Sequence, residues 1–143
     1  MAYRLTFRRR VRLVLELFRA LFRLMLVELS LRRHDLPTVC RRLHIGADLN
    51  SAAPAATEPA LLPRNTRIPI LAACLVVRHW PAGDTCLRRC LLIGYRLRAL
   101  GPILRIGVRR DASGEFSAHS WLEIDGRTLD ASAADYVTLG AAG

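Results

Sequence analysis

The chain changes hydrophobic period once, and the change divides it. From Phe7 to Leu31, "FRRRVRLVLELFRALFRLMLVELSL", Arg8, Arg12, Glu16, Arg19 and Arg23 recur at three- and four-residue steps. Leu, Val and Phe cover most of the remaining circumference, so the pattern predicts one long helix over 7–31. An apolar surface that wide has to be buried. The simplest expectation is packing against the rest of the chain, with a partner protein or an anionic membrane surface as alternatives. A short helical piece is expected around Pro37–Leu43. It leads into "GADLNSAAPAATEPALLPRN", whose Ala, Pro and small polar residues carry no periodicity and read as a loop or linker.

A second helix is predicted from Ile68 to Val77, with Pro69 in its first turn. A further helix begins after Asp84 or Thr85, either of which is a good N-cap. It carries an apolar stripe of Leu87, Leu91 and Tyr95 and stops at Gly101-Pro102. From Ile103 the period becomes two. "ILRIGVRR" alternates, "DASG" is a turn, "FSAHSWLEI" is a strand, Asp125-Gly126 is a hairpin signal and "RTLD" starts the return strand. Helices first and then an antiparallel sheet make an α+β chain. Its expected parts are a basic amphipathic helical region (1–45), an Ala/Pro-rich linker or loop (46–66) and a core (67–143).

The hairpin has chemical consequences. With Asp125-Gly126 as a two-residue loop, Ile124 pairs with Arg127 and Leu122 with Leu129, which gives one buried face. Asp130 then lies opposite Trp121, on the face of His119 and diagonal to it, about 7–8 Å away at the backbone. Glu123 and Asp125 share that face but lie about 13 and 20 Å along the strand, at ~3.3 Å per residue. Asp130 is the nearby acid placed to orient the imidazole.

A histidine held by a carboxylate calls for a nucleophile. Cys86 falls in the first turn of its helix, where unpaired backbone N–H groups and the macrodipole favour a thiolate. Cys90, one turn deeper, reads as a packing residue, as do Cys40 and Cys74 in apolar helical segments. A zinc site from Cys86, Cys90, His119 and His79 is the competing reading, and Cys-x-x-x-Cys is an unusual spacing for it.

Composition narrows the partners. The net charge is +10, and all 22 basic residues are arginine, which reflects coding composition more than function. Residues 1–45 hold eleven arginines against three acids, whereas 46–143 hold eleven against nine, so the basic excess is N-terminal. No zinc-finger spacing, arginine-rich motif with interleaved aromatics or glycine-rich RNA signature accompanies it, so no nucleic-acid role is expected. Arg12, Glu16, Arg19 and Arg23 interrupt every stretch that could serve as a signal peptide or a membrane span. With four cysteines and no C-x-x-C, the expectation is free thiols in a reducing cytoplasm, with peripheral membrane contact through 7–31 left open.

"DTCLRRCLLIGYRLRALGPILRIGVRR", followed by "FSAHSWLEIDGRTLDAS", resembles the leader peptidase of lasso-peptide biosynthesis. That enzyme is the cysteine-protease half of the B protein, within the transglutaminase-like superfamily. The shared pattern is Cys86-Leu87-Arg88-Arg89 opening a helix, Gly107-Val108 in a strand, Ala118-His119-Ser120-Trp121-Leu122-Glu123, and Asp130 after the turn. The resemblance implies a papain/transglutaminase-like core without a cofactor, in which Cys86 is the nucleophile, His119 the general base and acid, and Asp130 its orienting partner. It implies a ribosomally made precursor peptide as substrate, a separate recognition protein of the PqqD type, and a separate ATP-dependent cyclase that closes the ring. Two other roles stay open: a non-catalytic scaffold that presents the precursor, and acyl transfer to an amine.

Overall fold

No glycine or proline interrupts the chain between Phe7 and Arg33, and the computed structural model, which describes residues 6–141, makes this stretch a single helix, α1 (Phe7–Arg33). Pro37 ends that run and sits in the first turn of α2 (Leu36–Arg42). Two more helices follow, α3 (Arg67–Arg78) and α4 (Cys86–Arg96), and α1 packs on both of them. The core joins Val27 of α1, Val39 and Cys40 of α2 and Leu91 of α4 to Leu104 and Leu122 of the sheet. Leu24, Ala73, Val77 and Leu92 fill the helix–helix seam.

The polar stripe of α1 does not lie where an amphipathic pattern would put it. The strip that α1 buries is Glu16, Ala20, Leu24 and Val27, while Val14, Phe18, Phe22 and Met25 stand in solvent. The expectation that the broad apolar surface packs on the rest of the chain is therefore corrected: one narrow strip does so. Pairing explains why Glu16 can face inward. Arg96 of α4 reaches it at 2.8 Å and Arg19 at 3.2 Å, and a buried carboxylate is tolerated only with such partners.

The sheet is mixed, not purely antiparallel. Strands β2 (Ile103–Arg110) and β3 (Phe116–Ile124) form its centre, and β4 (Arg127–Thr128) adds to β3. The turn residues Asp125 and Gly126 both have positive φ, as a two-residue hairpin loop requires, and Ile124 pairs with Arg127. Along the other edge of β2 lie β1 (Gly46–Asp48), which runs parallel to it, and β5 (Val137–Thr138), which runs antiparallel. β1 falls within the stretch expected to be loop or linker.

The rest of that stretch crosses the sheet face that α4 does not cover. Arg105 and Glu123 project from this face, both almost completely buried, 3.4 Å apart. Arg105 also donates to the Ala53 carbonyl at 2.6 Å, and Asp48 lies 3.6 Å from it. Glu123 accepts from the Ala56 N–H at 2.9 Å and from the Trp121 indole at 3.0 Å. Thr128 and Glu58 bond backbone to backbone, as do Ala60 and Thr128. The segment is thus a strap, held by its own backbone groups on a buried ion pair.

Removing one member of a buried pair leaves the other charge uncompensated, at a cost of about 3–5 kcal/mol. Glu123→Ala should accordingly lower the melting temperature by roughly 10 °C or more, measured by circular dichroism. A shift of only a degree or two would mean that the strap does not depend on the pair.

Candidate active site

The N-terminus of α4 is clamped from outside. Thr85 caps it, accepting from the Arg88 N–H at 3.3 Å, so Cys86 is the first helical residue. The Arg88 side chain donates to the carbonyls of Ala82 and Gly83 at 3.2 and 3.3 Å and pairs with Glu28 of α1. Hydrogen bonding from Arg88 holds the Glu28 carboxyl below the usual carboxylate range, against the opposing effect of burial. A loop that would otherwise be free is thereby fixed to the longest helix. Arg89 adds a two-pronged contact to Asp84 at 2.6 and 2.7 Å.

On β3 the His119 ring turns toward Asp130. Their Nε2 and Oδ2 atoms are 2.6 Å apart. A carboxylate oxygen only accepts, so the imidazole carries its proton on Nε2, and no hydrogen bond engages Nδ1 among the described residues. Asp130 itself is built in. It caps a 3-10 turn (Ala131–Asp135), taking the Ser132 N–H at 2.9 Å and the Ser132 hydroxyl at 2.7 Å on Oδ1. Its backbone N–H and carbonyl both bond to the buried Thr128 hydroxyl. Burial alone would raise the Asp130 carboxyl, but the hydrogen bonds from Ser132 and His119 outweigh it and hold the group below its ordinary value. Tyr136 closes the other side of the imidazole, with ring centroids 4.9 Å apart.

Gly107 makes that aromatic wall possible. It pairs with His119 across the ladder and with Thr138 on its other side. A Cβ there would come within 2.9 Å of both the Trp121 ring and the Tyr136 Cβ, and within 2.8 Å of the Val137 carbonyl. The residue is glycine because three segments of the chain meet at that point.

Cys86, His119 and Asp130, the three residues singled out from the sequence, line one cavity of about 310 Å³, with Cys74, Arg89, Cys90 and Trp121 also in its wall. The family described as Transglutaminase-like superfamily matches residues 5–140, nearly the whole chain. The chain belongs to the transglutaminase-like superfamily. Neither a curated protein nor a solved structure matches it. This superfamily includes cysteine proteases and acyl transferases.

The four thiols of this transglutaminase-like chain are unequal. Burial pushes the Cys90 thiol, which donates to the Ser120 carbonyl, up to about 12 and the Cys40 thiol up to about 11. Cys74 is half-buried rather than a core residue, and burial raises its thiol too. The zinc set is not assembled. His79 bonds to the Leu75 carbonyl and lines a groove between α1 and α3, and no cluster of three metal-ligating side chains occurs among the described residues. Sequence reasoning missed Ser132, Thr128 and Tyr136. Only the Asp-x-Ser capping pattern at 130–132 could have signalled one of them.

Brief iodoacetamide treatment of the folded protein near neutral pH should modify Cys86 first, Cys74 more slowly, and Cys40 and Cys90 only after unfolding. Peptide mapping by mass spectrometry reads the order, and first labelling at Cys74 would contradict it.

Proposed function

We propose that this chain is a cysteine endopeptidase that removes the leader from a lasso-peptide precursor before a separate cyclase closes the ring. The observation that carries the reading is the 2.6 Å His119–Asp130 bond in a cavity shared with Cys86. It supports acyl chemistry because it leaves Nδ1 as the imidazole nitrogen free to exchange a proton with a thiol and a leaving amine. The resemblance of the Cys86, His119 and Asp130 segments to the lasso leader peptidase supplies the substrate class.

In this account the Cys86 sulfur attacks the scissile carbonyl while His119 holds the thiol proton on Nδ1. The tetrahedral oxyanion lies against the helix N-terminus, with the Cys86 N–H as one donor. Collapse breaks the C–N bond, and His119 gives its proton to the departing amine, which is the new N-terminus of the core peptide. The leader remains on Cys86 as a thioester. Water, deprotonated by the same nitrogen, then releases it as a carboxylic acid. Asp130 stays ionised and keeps the ring in one tautomer. A separate PqqD-type protein is the proposed carrier of the leader, and the ATP-dependent cyclase is the proposed recipient of the free amine.

The test combines the protein with the precursor and the recognition protein, and follows leader release by mass spectrometry. Cys86→Ala should lower the rate by roughly 10³-fold or more with folding unchanged, and Asp130→Ala, which also removes the cap of the following turn, by roughly 10²-fold. Release by Cys86→Ala at the natural rate would favour the scaffold reading. A leader joined to an amine instead of ending in a free acid would favour acyl transfer.

A further inference from the structure

Both acids of α1 turn inward: Glu16 pairs with Arg96 and Arg19, and Glu28 with Arg88. Arginine is therefore the only charged residue left on the exposed surface of α1 among its described residues. Directly opposite the buried strip, the helix is apolar along its length. Val11, Leu15, Phe18, Leu21, Phe22 and Leu29 all stand out, with Phe18 67% and Phe22 61% exposed. At 1.5 Å and 100° per residue this face is roughly 27 Å long and roughly 120° wide. Because α3 and α4 pack behind α1, the centre of this face points away from the rest of the protein, while its Phe18–Leu21 edge borders the groove toward α3.

The charges beside and behind this face, at the N-terminal end of the helix, are also one-sided. Arg8, Arg9 and Arg12 meet Arg64 and Arg67, from the turn before α3 and its first residue, around a cavity of about 540 Å³ with no acid in its wall. Two of these arginines lie fifty residues and more from the other three in sequence, so the fold gathers what α1 alone does not have.

We infer that α1 lies in the plane of an anionic lipid bilayer, with its apolar face below the headgroups and the five arginines on the lipid phosphates. Two observations select this occupant. A second copy of the chain would bring arginine against arginine with no exposed acid on α1 to pair them, and like charges at contact distance repel. A partner helix in a coiled coil needs a narrow seam of two positions in seven, whereas this face is broader and carries phenylalanines at its centre, as helices lying in a membrane interface do. No helix of the described chain is long and apolar enough to cross a membrane, so the contact is peripheral. This inference does not depend on the peptidase reading.

The test floats the full-length protein with vesicles of phosphatidylcholine alone, or with one-third phosphatidylglycerol. Binding should be at least about tenfold tighter to the anionic vesicles and should weaken as salt is raised. Phe18→Ser with Phe22→Ser, at exposed positions, should abolish flotation without changing the melting temperature. Arg8→Gln with Arg9→Gln, which removes no apolar contact, should cut binding to anionic vesicles alone. Equal flotation on neutral vesicles would overturn the anionic assignment. Absence of flotation together with a dimer that Phe18→Ser disperses would give the face to a second copy. Absence of flotation together with loss of recognition-protein binding in the same variant would give it to that protein.

Discussion

A charge pair buried in a β-sheet is the constraint around which this molecule is arranged. Arg105 and Glu123 project from neighbouring strands on the face away from α4, and neither could remain there alone. Direct attraction satisfies only part of their hydrogen-bonding capacity. The Ala53 carbonyl, the Ala56 N–H and the Trp121 indole supply further partners. An Ala/Pro-rich segment with no apolar pattern of its own thus becomes a fixed cover, because its backbone groups bond to two buried charges. Trp121, anchored by the same carboxylate, then lies 6.4 Å from the His119 ring.

The Cys86 side of the cavity is ordered by a second ion pair with a different task. Glu28 and Arg88 join α1 to α4, and the same guanidinium gathers the carbonyls of the loop that ends at Thr85. Cys86 is held from the helical layer, His119 and Asp130 from the sheet, and they meet at one cavity. Neither half is a site without the other. The geometry therefore depends on packing between layers that lie far apart in sequence, Glu28 with Arg88 and Ala56 with Glu123.

Local signals were legible in the sequence, and long-range ones were not. The Asp125-Gly126 turn sets a register that puts Asp130 diagonal to His119, and that pairing needs only one hairpin. The Thr85 cap and the first-turn position of Cys86 are likewise properties of a few adjacent residues. Strand β1 was hidden because it is three residues long and pairs with β2 mainly through backbone groups, a partner nearly sixty residues away. The inward turn of Glu16 was hidden because its partner, Arg96, is eighty residues away. Glu123 read as an acid too distant to orient His119. It is indeed not that residue's partner, but nothing in the pattern shows that it is the anchor of the strap.

The most direct test of the site is the tautomer of His119, because the proposed chemistry needs Nε2 protonated toward Asp130 and Nδ1 bare. Nitrogen-15 NMR of the imidazoles, with His119 assigned through His119→Gln, reads this without any substrate. The account predicts an Nε2–H tautomer with a strongly downfield proton that disappears in Asp130→Ala. A proton on Nδ1, or a signal indifferent to Asp130→Ala, would contradict it.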